Sequence, residues 1–135
     1  MTAASFLVDT DWVIDHFNGV RAVTSSLQAY EPQRLALSII SVAELWEGVQ
    51  FSKDPVRSEA MLTAFLAGVV ILSIDEEICR RFGQLRGSLR SAGNLIGDFD
   101  LLVAATALRY NLTLLTNNRR HLERIKPLRM EGTLP

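Results

Sequence analysis

The chain alternates between short, almost wholly apolar runs and longer segments that carry apolar residues at helical spacing. The short runs lack the polar alternation of a sheet with one face in water, so they indicate strands that are buried on both faces. The predicted strands are Phe6–Asp9, Leu35–Ile40, Val69–Ile74 and Leu112–Leu115, with a further edge strand after Pro127. The predicted helices are Asp11–Asn18, Val20–Tyr30, Ser41–Phe51, Val56–Ala67, Asp75–Ser91 and Asp98–Tyr110, with a short one starting at Thr116-Asn117-Asn118.

Strands and helices that alternate through short connections are typical of an α/β fold. We expect three layers, α/β/α, in which a central and mostly parallel sheet of four or five strands is covered by helices on both faces. A length of 135 residues suits one domain, residues 1–135. Since ligands of such sheets bind at the carboxyl ends of the strands, polar residues at those ends are the first candidates for a functional site.

Composition excludes several classes of protein. A single cysteine, Cys79, rules out an internal disulfide and favours a reducing cytoplasm. Because the chain has only this cysteine and two histidines, we do not expect a structural zinc site. Apolar stretches fall short of the roughly 20 residues that cross a bilayer, and the first residues lack the basic segment of a signal peptide. We therefore expect no membrane association.

Charge is distributed unevenly along the chain. Eleven acidic and four basic residues precede position 78, whereas four acidic and ten basic residues follow it. A metal site beside a surface that binds a polyanion would need such an arrangement, although helices that merely differ in charge would give the same count.

Acidic and amide side chains recur where the predicted strands end and one helix begins. They are Asp9, Glu44, Asp98, Asp100 and Asn118. Most have an ordinary alternative role: Ser41-x-x-Glu44 has the form of a capping box, and Asp98, Asp100 and Asn118 suit helix N-termini. Asp9 has no such explanation, because it closes a buried strand.

A shared metal site explains these residues jointly. Carboxylates that are held together repel one another, and a cation relieves that repulsion. Mg²⁺ prefers oxygen ligands and retains several waters, one of which can become a nucleophile towards phosphate. This chemistry requires no His, Cys or Ser nucleophile, in keeping with the scarcity of His and Cys.

Four segments resemble PIN-domain ribonucleases, and most closely the VapC-type toxins of bacterial toxin–antitoxin modules. They are Phe6-Leu7-Val8-Asp9-Thr10, Ser41 to Gly48 (SVAELWEG), Ile96 to Leu108 (IGDFDLLVAATAL) and Leu112 to Asn118 (LTLLTNN). Each segment is weak evidence alone, but together they occur in the family's order and span nearly the whole chain.

The resemblance implies a divalent-metal site built from Asp9, Glu44 and Asp100, with Asp98 assisting and Mg²⁺, or Mn²⁺, as the cofactor. The family's fourth acidic position corresponds to Asn118, which removes one negative charge and leaves the number of metal ions open. Thr10 and Thr116 are expected to orient ligands or water through their hydroxyls. For Asp11, where relatives often have Asn, we favour a helix cap.

The resemblance further implies an endoribonuclease that hydrolyses RNA phosphodiester bonds, with tRNA as one candidate substrate, an antitoxin protein as its inhibitor and a homodimer as its assembly. Arg119 and Arg120 could reach RNA phosphates. The arginines Arg80, Arg81, Arg86 and Arg90 could extend that track or simply form a solvated helix face. No aromatic platform for RNA is evident from the sequence. Candidates for a dimer face are Trp46, Met61, Phe65 and Leu66, although core packing is favoured for Leu62, Phe65 and Leu66.

Two other functions remain open at this point. A PIN-like module that binds RNA and cleaves it weakly would agree with the missing fourth acid. A haloacid-dehalogenase-like phosphatase would explain Asp9-Thr10-Asp11, but that class also needs a lysine at the site, and neither Lys53 nor Lys126 follows a predicted strand.

Overall fold

The computed structural model describes residues 4–135 and has the expected three-layer α/β/α architecture. Its strands are β1 (Phe6–Val8), β2 (Leu35–Ser38), β3 (Val70–Leu72), β4 (Thr113–Leu115) and β5 (Met130–Glu131). They form one sheet in the order β3-β2-β1-β4-β5, and every neighbouring pair is parallel. The edge strand expected after Pro127 is β5.

Seven α-helices connect and cover these strands within the described residues. They are α1 (Thr10–Phe17), α2 (Arg21–Tyr30), α3 (Ile39–Gln50), α4 (Pro55–Ala67), α5 (Glu76–Ser91), α6 (Asp98–Arg109) and α7 (Arg119–Leu122), and a 3₁₀ turn, Glu31–Gln33, follows α2. No helix of residues 4–135 is long and apolar enough to cross a membrane.

The central strand β1 explains why the short runs are wholly apolar. Leu7 and Val8 are fully buried and point to opposite faces, so each contributes to a different apolar cluster. One cluster lies around Leu101 of α6, and the other lies around Trp12 of α1 and Leu62 of α4. Burial on both faces therefore accounts for the missing polar alternation.

The residues considered for a dimer face mostly serve the core. Trp46, Phe65 and Leu66 are half-buried and pack against the cluster around Trp12. Met61 is also half-buried. Core packing was expected for Leu62, Phe65 and Leu66, and it also accounts for Trp46.

Three helices, α1, α3 and α4, begin earlier than predicted, and the differences at α1 and α3 bear on the site. Helix α3 starts at Ile39 because the Ser38 hydroxyl accepts a hydrogen bond from the Ile40 N–H. The capping box considered as an alternative role for Ser41 and Glu44 is therefore not formed. Helix α1 starts at Thr10, with Asp9 as its N-cap, so the expected cap at Asp11 is also wrong.

Candidate active site

Asp9 lies where the central strand ends and is 5% exposed. One carboxylate oxygen accepts a hydrogen bond from the Thr10 N–H at 2.9 Å, and the other accepts one from the Thr116 hydroxyl at 2.7 Å. Burial raises the pKa of Asp9 to about 6, against its ordinary 3.8, and the charges of Asp11 and Asp100 add to the increase. Asp9 is therefore costly to ionise in the metal-free protein.

Thr116 follows β4 and links the loop after that strand to Asp9. It is fully buried, donates to Asp9 and accepts a hydrogen bond from the Asn118 N–H at 3.0 Å. A parallel register that pairs Val8 with Leu115 brings the two strand ends together. The expectation that Thr116 orients an acidic residue agrees with this contact.

Glu44 is held by a chain of hydroxyl groups. The Thr10 hydroxyl lies 2.8 Å from a Glu44 carboxylate oxygen and 2.8 Å from the Ser41 hydroxyl. An ionised carboxylate can only accept, and Thr10 has a single hydroxyl proton, so Thr10 donates to Glu44 and Ser41 donates to Thr10. Ser41, which is fully buried, thus orients Glu44 through Thr10 rather than capping a helix.

Four carboxylates, which we call the acidic cluster, are linked electrostatically: Asp9, Asp11, Glu44 and Asp100. The charges of Asp11 and Asp100 act on both Asp9 and Glu44. Burial raises the pKa values of Glu44 and Asp100 above their ordinary range. The Asp11 charge raises the pKa of each of the other three. The structure thus brings together the three acids predicted from the sequence and adds Asp11.

His121 is a further neighbour that the sequence analysis did not identify. Its charge lowers the pKa of Asp100 and partly opposes the effects of burial and of Asp11. His121 belongs to α7, just after β4. In the sequence, only its position after a predicted strand could have indicated His121, and the same position drew attention to Arg119 instead.

An open pocket of about 440 Å³ runs beside the acidic cluster and is lined by Glu44, Gly97, Asp98, Phe99 and Asp100. Asp98 is exposed at its rim and pairs with Arg86 of α5. Helix α6 begins here at Gly97 without a side-chain cap. Asp98 therefore lies near the acidic cluster, but its carboxylate already forms an ion pair with Arg86.

Asn118 faces a neighbouring depression rather than the pocket of Glu44 and Asp100. That depression, of about 350 Å³, is lined by Asp11, Ile14, Asp15, Asn117 and Asn118. Asn118 still reaches the cluster indirectly, since its backbone N–H donates to Thr116.

Some of the arginines predicted to contact RNA phosphates already have partners within the chain. Arg80 and Arg81 form pairs with Glu76 and Glu77 one turn earlier on α5, as on a solvated helix face. Arg119 extends towards the Met130 carbonyl oxygen of β5, at 3.5 Å. Arg90 and Arg120 are exposed.

The donor set suits a hard divalent cation. Hydrogen bonds from hydroxyl and backbone N–H groups, rather than a Lys or Arg, oppose the rise in the pKa of Asp9. No three His, Cys, Asp or Glu side chains of residues 4–135 converge into a ready-made metal cage. Mg²⁺ does not need one, because it usually binds through one or two carboxylates and keeps several waters.

A second, largely apolar groove of about 420 Å³ runs between α1, α3 and α4 and meets the site at Glu44. Its lining residues include Ile14, Phe17, Leu45 and Leu62. The carboxylate site is therefore bordered on one side by an apolar channel.

Comparisons with known proteins identify one family of relatives. The sequence matches the PIN domain family over residues 6–127. It is 37% identical to Ribonuclease VapC2 of Haemophilus influenzae over 99 residues, which is 73% of this chain and 75% of that protein. It is 29% identical to the tRNA(fMet)-specific endonuclease VapC of Shigella flexneri over 126 residues, 93% of this chain and 96% of the relative.

Solved structures give the same result. The crystal structure of VapBC2 from Rickettsia felis, bound to a DNA fragment from its promoter, superimposes with a TM-score of 0.89 at 30% identity, covering 96% of this chain and 98% of that one. DNA-bound VapBC from Salmonella typhimurium superimposes with a TM-score of 0.88 at 28% identity, covering 96% and 98% of the two chains.

Proposed function

The chain belongs to the PIN domain family, and on that premise we propose that it is a metal-dependent endoribonuclease and the toxin of a toxin–antitoxin pair. The observation that carries the proposal is the acidic cluster at the carboxyl end of the sheet, in which Asp9 is buried with its pKa raised to about 6. Relatives named as ribonucleases, and neighbours solved as VapBC complexes, support the same function.

We place the metal, Mg²⁺ or Mn²⁺, on Asp9, Glu44 and Asp100. Asp98 can join them only if it leaves Arg86. The bound ion would polarise an RNA phosphate and make water a nucleophile near neutral pH. The chain's own part is to hold its carboxylates ready: Thr116 fixes one oxygen of Asp9, and Thr10 fixes one oxygen of Glu44.

The substrate and the inhibitor follow from the relatives. Since one relative is named for tRNA(fMet), we propose tRNA as the first RNA to test as a substrate. We place the tail of an antitoxin in the apolar groove that meets Glu44, because it offers an apolar partner a path to the carboxylates. We also retain the homodimer as a proposal.

A reducing cytoplasm remains the proposed compartment. Cys79 is a free and exposed thiol, which such an environment preserves.

Incubation with total RNA tests the proposed function. We expect cleavage in Mg²⁺ or Mn²⁺ and none after EDTA is added, because the site then lacks the charge that stabilises the transition state. Cleavage that persists in EDTA would contradict the metal mechanism. RNA that is bound but stays intact under all conditions would favour the alternative of an RNA-binding module, to which Asn118 in place of an acid also points. The PIN match leaves no support for a phosphatase.

Ser41→Ala is expected to weaken Mn²⁺ binding and cleavage about 10-fold, a typical effect of losing a partner behind a metal ligand. Without the Ser41 proton, the Thr10 hydroxyl is free to turn away from Glu44. Ser41→Thr restores the hydroxyl and should restore both properties. Mn²⁺ titration followed by electron paramagnetic resonance measures the affinity directly. Equal affinities for Ser41→Ala and the unchanged chain would rule out the orienting role.

A further inference from the structure

Phe99 stands out among the apolar residues of α6 because more than half of its surface is exposed. The exposed fraction of Phe99 is 54%, whereas Leu101, Ala104 and Ala107 on the same helix are fully buried. An isolated exposed apolar residue needs no explanation in general, but the position of this one is unusual. It lies between Asp98 and Asp100 in the first turn of the helix.

The phenyl ring shares its pocket with the proposed chemistry. Glu44, Asp98 and Asp100 line the same open pocket of about 440 Å³ as Phe99. A volume of that order accommodates a small organic group. Any phosphodiester held at the acidic cluster therefore brings its adjoining nucleoside close to this ring.

The neighbouring groups suit a nucleotide rather than an apolar peptide. Arg86 pairs with Asp98 at the rim of the pocket, and the Arg86 side chain is 34% exposed. Helix α6 starts at Gly97 without a side-chain cap, so its first N–H groups are left for solvent or for ligand oxygens. An aromatic face beside a cation and free N–H donors offers stacking to a base and polar contacts to its phosphate.

We propose that Phe99 stacks on an unpaired base next to the phosphodiester that the acidic cluster cleaves. The inference rests on the proposed ribonuclease function and gives the ring of Phe99 the role of holding the base beside the cut. Bases within an A-form duplex are stacked on one another and cannot reach the ring, whereas bases of loops and single strands can. Phe99 also supplies the aromatic contact that was not evident from the sequence.

The test uses a single-stranded RNA octamer with one 2-aminopurine, whose fluorescence is quenched by stacking, and a blunt duplex of the same strand. Binding is measured in the Asp9→Asn background so that the strands stay intact. We expect Phe99→Ala to weaken single-strand binding about 5- to 150-fold, the range for one base–aromatic stack, and to abolish the quenching. Phe99→Tyr should retain both, and duplex binding should be unchanged by Phe99→Ala.

Phe51→Ala is the matched control, because Phe51 is 83% exposed and follows α3, at the end of that helix remote from β2. It should change neither affinity nor quenching. Unaltered single-strand binding in Phe99→Ala, or an equal loss for the duplex, would overturn the inference. So would a change in oligomeric mass in Phe99→Ala, which would assign the ring to a protein interface. If the unchanged chain never cleaves RNA in Mn²⁺, the proposed function fails, whatever the binding of the octamer shows.

Discussion

Replacing Asp9 with Asn is expected to abolish RNA cleavage and, at the same time, to make the metal-free protein more stable. Cleavage should fall at least about 100-fold, because metal stabilisation of transition-state charge is worth several kcal/mol and each 1.36 kcal/mol is a factor of ten. Asn is nearly isosteric with Asp, and its amide oxygen can accept from the Thr10 N–H while its amide NH2 donates to the Thr116 hydroxyl. The fold should therefore survive the change.

The gain in stability follows from the pKa of Asp9. Its value rises from 3.8 to about 6 on folding, so the folded protein holds the proton more tightly than the unfolded chain does. Well below pH 3.8 both states are protonated and Asp9 costs nothing. Between pH 3.8 and pH 6 the unfolded chain is ionised while the folded protein still holds the proton, so the free energy of unfolding falls as the pH rises through this window. Above pH 6 both states are ionised and the loss is complete, at about 3 kcal/mol from 1.36 kcal/mol for each pKa unit. Asp9→Asn removes this loss.

Chemical denaturation at pH 7 and at pH 4, with EDTA present, measures the effect. We expect Asp9→Asn to be more stable than the unchanged chain by up to about 3 kcal/mol at pH 7 and nearly equal to it at pH 4. Glu59→Gln, which removes one negative charge from the exposed surface of α4, is the control. It should neither stabilise the protein at pH 7 nor lower RNA cleavage. A variant that is less stable at pH 7, or that still cleaves RNA, would contradict the assignment of Asp9.

Divalent metal should produce the second large effect, a rise in melting temperature that depends on pH. A ligand that binds only the folded state at 100 times its Kd adds about 2.7 kcal/mol of stability. The gain should be larger at pH 7.5 than at pH 5, because Asp9, with a pKa of about 6, must lose its proton before it can bind a cation. Protonated Asp9 has no charge to offer.

Melting curves with Mn²⁺ at both pH values measure this gain, with Ca²⁺ as a second hard cation. Asp100→Asn should lose most of the Mn²⁺ effect at pH 7.5, while Glu59→Gln should retain it. An equal rise in melting temperature at both pH values would show that the ion binds somewhere other than the acidic cluster.

Periodicity and burial made the architecture predictable. Short apolar runs indicated strands buried on both faces, and the structure places them in one parallel sheet. Helix boundaries were less predictable where a tertiary contact competes with a local motif. Ser41 and Glu44 have the spacing of a capping box, yet Ser38 caps the helix and the Ser41 hydroxyl contacts Thr10, 31 residues away in the chain.

The carboxylates were predictable because strand ends converge, but their electrostatic neighbourhood was not. Asp11 follows Asp9 closely enough to suggest a local cap, and only the path of α1 shows that its charge also reaches Glu44 and Asp100. Likewise, sequence spacing could not show that His121 approaches Asp100, or that Arg86 would pair with Asp98. Such contacts depend on how α5, α6 and α7 pack.

Anomalous diffraction from crystals soaked in Mn²⁺ tests the central claim most directly, because it locates the ion without reference to activity. We predict a peak next to the carboxylates of Asp9 and Asp100, on the side that faces Glu44. A well-ordered ion bound elsewhere, or no peak at the acidic cluster at a Mn²⁺ concentration that stabilises the protein, would contradict it.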